Sequence, residues 1–157
     1  MKTALIYATN HGTTEKVANM ISKSLDGDIK LFNLKNTTPQ DLSSYDSIII
    51  GGSIHAGKIQ KKVEEFCNKN IAILLQKRVA LFICAMNVPE YQKELSDAFP
   101  KLLFNHAIAK KVAGGEFLFE NMNFIEKMIV KGITGVKESV YKIDEESVAD
   151  LCSALKS

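Results

Sequence analysis

The sequence predicts an α/β protein in which a parallel sheet carries helices on both faces. Three observations lead there. Short apolar runs alternate with amphipathic stretches along the chain. The run "SIIIGGS" is apolar without alternation, as suits a strand covered on both sides. A polar, Gly- and Thr-containing turn, "TNHGTT", separates the first apolar run from the first amphipathic one. Crossovers in such a sheet are right-handed, and ligands bind beyond the carboxyl ends of its strands.

The elements follow in order. Residues 3–8 are a buried strand. Residues 13–25 are a helix, with Val17, Ala18, Ile21 and Leu25 on one face and Glu15, Lys16 and Lys23 outside. "GDIKLFNL" is a second strand and "KNTTPQDLSSYD" a loop. After the "SIIIGGS" strand, residues 59–75 read as a helix and 79–84 as a fourth strand. Pro89 stands near a helix start, and the helical pattern runs towards Leu103. Residues 111–119 are the expected fifth strand, 124–133 a short amphipathic helix, and 145–155 the last helix.

Whole-chain properties narrow the class. The 157 residues suffice for one domain with a real core, here expected over 1–157. An apolar content of 46% argues against disorder. The charges nearly balance, at +2, so nucleic acid is not an expected partner. Cys67, Cys84 and Cys152 are widely spaced and odd in number, which fits neither a disulfide framework nor a metal cluster. The N-terminal apolar run is short for a signal peptide, and no stretch reaches transmembrane length; a cytoplasmic location is expected.

The first loop has the make-up of an anion site. A nucleoside-triphosphate loop requires GxxxxGK[ST], but Thr13 and Thr14 follow Gly12, and Lys16 is out of register. A dinucleotide fingerprint requires three close glycines, and this loop has Gly12 alone. A phosphorylated receiver requires strand-end carboxylates where this chain has Thr9 and Asn10. What remains is a set of hydroxyls, one amide and backbone N–H groups at a helix start, matched to a single phosphate. The plainer alternative is that Thr13 or Thr14 merely caps the helix.

With that pattern in place, Thr9-x-x-Gly12-x-Thr14 resembles the phosphate loop of the flavodoxin family, and the likeness extends over almost the whole chain. The resemblance implies a three-layer sandwich around a five-stranded parallel sheet in the order 2-1-3-4-5, binding flavin mononucleotide (FMN). In detail it is closest to the menaquinone-dependent protoporphyrinogen oxidase branch. "GGSIHAG" is similar to that branch's Gly-x-Ser-Ile-x-x-Gly pattern, and "MKTALIYAT", "VAGGE" and "NFIEKMIVKGITG" also look alike. By this resemblance, Thr9, Asn10, His11, Gly12, Thr13 and Thr14 would wrap the phosphate. Ser53, Ile54, His55, Ala56 and Gly57 would face one side of the isoalloxazine ring. Ala85, Met86, Asn87 and Val88 would approach its other side and pyrimidine edge. Electron-carrying flavodoxins often stack aromatic side chains on the ring and are strongly acidic. Here neither ring loop holds Trp or Phe, Tyr91 is merely nearby, and the chain is not acidic.

The hard chemistry would belong to the cofactor. His55 is a candidate to share a proton beside the ring, against the plainer reading of a solvent-facing turn residue. No side chain is assigned a catalytic role. Cys84 lacks a cationic neighbour in sequence and reads as packing. Glu64–Glu65 and Glu145–Glu146 are adjacent on helices and so do not face one another. Residues 117–133 read mainly as a packing helix; the alternative is an apolar lip for a quinone, a porphyrinogen or a membrane surface. Three readings stay open: an electron carrier served by a redox partner protein or quinone, a menaquinone-linked protoporphyrinogen IX oxidase, and a flavin-free interaction domain.

Overall fold

A computed structural model describes residues 1–117 and 140–156. The first strand, β1 (Lys2–Tyr7), leads into helix α1 (Thr13–Ser24), then β2 (Asp28–Asn33), β3 (Ser47–His55) and the two-residue β4 (Lys58–Ile59). Helices α2 (Lys61–Lys69) and α3 (Ile71–Leu74) precede β5 (Arg78–Cys84). A 3-10 turn, Val88–Glu90, opens α4 (Tyr91–Ala98), which is followed by α5 (Lys101–His106) and β6 (Ala109–Val112). Strands β7 (Gly114–Phe117) and β8 (Val140–Ile143) and helix α6 (Glu145–Lys156) complete the described chain.

The main sheet runs β2-β1-β3-β5-β6, all parallel, with β4 added antiparallel to β3. Counting the parallel strands alone, this is the expected order 2-1-3-4-5. Continuous apolar runs serve both faces because successive side chains point to opposite sides. Ala4, Ile6, Ile48, Ile50, Leu81 and Ile83 pack on one face with Val63, Phe66, Leu95 and Leu103 from α2, α4 and α5. Leu5, Ile49, Ala80 and Phe82 pack on the other with Val17 and Ile21 of α1 and Leu151 of α6. This is a three-layer sandwich.

Several boundaries differ from the sequence expectation. The fifth parallel strand is residues 109–112, earlier than the expected 111–119. Ala113 N–H still donates to Ile83 O, but Gly114, at φ 73°, then turns the chain away. Residues 114–117 pair instead with β8, antiparallel. The expected helix 59–75 is two helices, parted at Asn70, whose side-chain amide donates to Phe66 O at 2.9 Å. The helix expected from Pro89 to Leu103 breaks at Phe99, held extended by the following Pro100. The expected helix 124–133 and most of the expected lip at 117–133 lie outside the described residues.

Two contacts give measurable expectations. A Cβ on Gly51 would fall 2.0 Å from the Phe82 ring, so β3 needs glycine there to let the ring lie against it. Gly51→Ala should destabilise by about 2–3 kcal/mol through overpacking, read by denaturant unfolding. Asp144 caps α6, accepting from Ser147 N–H at 3.0 Å and from its hydroxyl at 2.8 Å. These bonds hold its carboxyl below the ordinary 3.8. The stabilisation is therefore complete above that value and lost as pH falls through the lower folded value. Asp144→Ala should lower Tm at pH 7, and the difference from wild type should shrink below about pH 4.

Candidate functional site

Three loops meet at the carboxyl ends of β1, β3 and β5, the central strands of the sheet. The chain passes outward from β1 to β2, then crosses back to β3 on the other side. The loops after β1 and β3 therefore flank the switch point of the topology.

The first loop spans residues 8–12. Gly12 sits at φ 95°, in the left-handed region, and occupies the cap position of α1 with no side-chain capping bond. The alternative in which Thr13 or Thr14 caps the helix does not hold: both are inside its first turn. Thr9 Oγ1 accepts from Gly12 N–H at 2.8 Å and closes the turn. Thr14 is fully buried, and its hydroxyl meets no hydrogen-bond partner among the described residues. An orphaned buried hydroxyl costs roughly 1–3 kcal/mol, a penalty that a bound anion would relieve. A Cβ at Gly12 would meet nothing within 4 Å, so open space lies over the turn. Asn10 is exposed, His11 half-buried and Thr13 buried. Below the loop, Tyr7 donates to Glu15 Oε1 at 2.7 Å, tying the end of β1 to the first turn of α1. Burial first, and then Glu15, push the Tyr7 phenol up to about 12.

The second loop is a tight hairpin. His55 pairs with Lys58 and Ile54 with Ile59, leaving Ala56 and Gly57 as a two-residue turn. Both have positive φ, 50° and 79°, which is the pattern of a type I′ turn. Ser53 is fixed by Gln60: its N–H donates to Gln60 Oε1 at 2.9 Å, and Gln60 Nε2 donates to its hydroxyl at 2.5 Å. The His11 and His55 rings lie 5.6 Å apart, tilted by 57°, so the first two loops touch across the switch point.

The third loop follows β5. Ala85 is buried, Met86 half-buried, and Asn87 and Val88 exposed. Ala85 N–H donates to Gly114 O at 2.9 Å, and Ala85 O accepts from the Tyr91 hydroxyl at 3.0 Å. Sequence reasoning missed Gln60 and Tyr91 as supports of the second and third loops. Neither belongs to a motif, and periodicity carries no signal for them.

Cys84 is buried at the end of β5, as expected of a packing residue. Burial alone pushes the Cys67 thiol up to about 12, away from any reactive range. Among the described residues no group of three or more His, Cys, Asp or Glu is placed to hold a metal ion. Nor is any described helix long and apolar enough to cross a membrane. A cleft of about 650 Å³ between α2 and residues 34–40 shares no lining residue with the three loops.

Comparison with known proteins agrees with this fold. The family described as "Flavodoxin domain" matches residues 4–142. The chain belongs to the flavodoxin family. Flavodoxin 2 of Bacillus cereus superposes with a TM-score of 0.66 at 23% identity, covering 99% of this chain and 98% of that one. A Fusobacterium nucleatum flavodoxin mutant bound to flavin mononucleotide gives 0.51 at 18%, covering 99% and 96%. Rubredoxin oxygen:oxidoreductase of Desulfovibrio gigas gives 0.62 at 16%, with 99% of this chain matching 36% of that longer one. An uncharacterised protein of Methanocaldococcus jannaschii is 34% identical over 70 residues, which is 44% of this chain and less than half, 45%, of that protein.

Removing the orphaned hydroxyl should help the cofactor-free protein. Thr14→Val is expected to raise unfolding free energy without ligand by about 1 kcal/mol, measured by denaturant titration.

Proposed function

We propose that this flavodoxin-family protein binds FMN at the three loops and carries electrons. The observation that supports this best is the pairing of the partnerless, buried Thr14 hydroxyl with the open turn at Gly12. Together with the N–H groups of the first turn of α1, these residues fit one phosphate group. The helix dipole adds roughly 0.3–1 kcal/mol. No lysine of the P-loop kind is needed, because a single phosphate bound by hydroxyls and main-chain amides suffices.

FMN supplies the electron-accepting ring when bound. The chain's own contribution is to hold and orient it. Thr9, Asn10, His11, Gly12, Thr13 and Thr14 grip the phosphate. The hairpin from Ser53 to Gly57, with Ile54, His55 and Ala56, covers one ring face; its tip is stiffened by the type I′ turn, and Gln60 anchors its base. Ala85, Met86, Asn87 and Val88 take the other side. His55, exposed at the hairpin, stands where a proton can be exchanged with solvent. Neither ring loop contributes Trp, Phe or Tyr.

The "GGSIHAG" hairpin sequence and the lack of aromatic residues in both ring loops are what favour the second reading, a menaquinone-linked protoporphyrinogen IX oxidase. Protoporphyrinogen consumption with menaquinone as acceptor, beyond a free-FMN control, would select it over the carrier. Anaerobic reduction that proceeds in two one-electron steps would select the carrier.

FMN added to cofactor-free protein should quench flavin fluorescence with a Kd of about 1 μM or below. Riboflavin, which lacks the phosphate, should bind at least about 100-fold more weakly, given two or more charge-assisted bonds to the phosphate. Thr14→Val should weaken FMN about tenfold and leave riboflavin unchanged. Equal affinity for FMN and riboflavin would refute the phosphate assignment.

A further inference from the structure

We infer that Tyr91 is a positioning residue for the cofactor: by holding the Ala85 carbonyl from α4, it aims the Met86 N–H at the electron-rich edge of the ring. This rests on the FMN reading above and adds a residue outside the three loops. The peptide joining Ala85 to Met86 is trans, as are all described peptide bonds. In a planar trans peptide the C=O and the following N–H point in opposite directions. The Tyr91 hydroxyl takes the Ala85 oxygen at 3.0 Å. The Met86 N–H therefore leaves the peptide on the side away from Tyr91. Among the described residues, no backbone carbonyl accepts it.

Two further features fix the residue that carries this carbonyl. Ala85 N–H is held by Gly114 O at 2.9 Å, so the residue is pinned at both of its backbone polar groups. A Cβ at Gly115 would come within 3.1 Å of Met86 Sδ and 3.3 Å of Ala85 O. Glycine there leaves room for the peptide to settle against β7. The donor stays a donor: burial, then Asp144, Glu94 and Cys84, raise the Tyr91 phenol above its ordinary value. It thus keeps its proton across the neutral range.

The consequence is state-dependent. A flavin gains negative charge along its N1 edge on reduction. A hydrogen bond to a charged acceptor is worth more than one to a neutral acceptor, by about 1 kcal/mol or somewhat more. Losing control of the Met86 N–H should therefore weaken the reduced complex more than the oxidised one.

The test compares wild type with Tyr91→Phe, which keeps the ring that packs against the core and removes the hydroxyl alone. FMN affinity is measured for the oxidised form by fluorescence and for the reduced form under anaerobic dithionite. The Kd for oxidised FMN is expected to rise about threefold and that for reduced FMN about 20- to 30-fold, a differential of about seven- to tenfold. Equal loss in both states, or no loss, would overturn the inference, since a merely structural role predicts no state dependence. A wild-type measurement stands beside it and does not depend on how the variant folds. The Met86 amide proton should move strongly downfield when FMN is added, and an unmoved resonance on a protein that binds FMN overturns the positioning role by itself. Wild-type protein that binds no FMN refutes the cofactor reading first and the role of Tyr91 with it.

Discussion

The hydrogen bond from Gly12 N–H to Thr9 Oγ1 is the contact on which the rest of the site depends. It closes a turn that only a left-handed residue completes without strain, and so it sets the angle at which α1 leaves β1. That angle seats Val17, Ala18 and Ile21 against the sheet. It also presents the first-turn N–H groups to the space above the strand ends. The same turn buries Thr14 with no partner for its hydroxyl among the described residues. A small local stability defect is thereby set where an anion would remove it. Packing of the helix and chemistry of the loop follow from one short contact.

The sheet does the remaining positioning. Because β1, β3 and β5 are adjacent and in parallel register, their carboxyl ends deliver three loops to one rim. Each loop is fixed from outside itself. Tyr7 and Glu15 brace the first, Gln60 braces the second, and Tyr91 with Gly114 braces the third. Rigid strands with loops tied back at their bases suit the proposed flavin, a flat ring held on both faces without large movement.

Much of this was legible in the chain because buried parallel strands write themselves as unbroken apolar runs. "ALIYA", "SIIIGG" and "VALFIC" each serve two cores at once, and no surface strand or loop produces that pattern. The parallel sheet with helices on both faces followed from that reading, whereas the strand order and the second and third loops were implied by the family resemblance. The fifth strand was misplaced for the opposite reason. Ala109–Val112 reads "AKKV", half charged, because it is an edge strand with partners on one side. Residues 114–117 after it belong to a separate antiparallel pair. The β3–β4 hairpin lacked a warning as well, since its turn is Ala-Gly where Asn-Gly is the usual signal. The brace Tyr91 acts through one bond to a main-chain carbonyl, and Gln60 through two bonds to Ser53, one to its main-chain N–H and one to its hydroxyl. Such bonds depend on distances that only folding defines.

The two lysines that hid the edge strand have an effect of their own. Lys111 reaches Asp150 of α6 at 3.7 Å, and the Lys110 ammonium lies 4.5 Å from the centre of the Phe104 ring. At the opposite border, β2 carries Asp28 and Lys30 along its length. A second sheet approaching either border would have to strip water from these charges before any main-chain bond could form. The protein thus keeps a wide, strongly apolar sheet while closing both of its margins to strand-by-strand polymerisation.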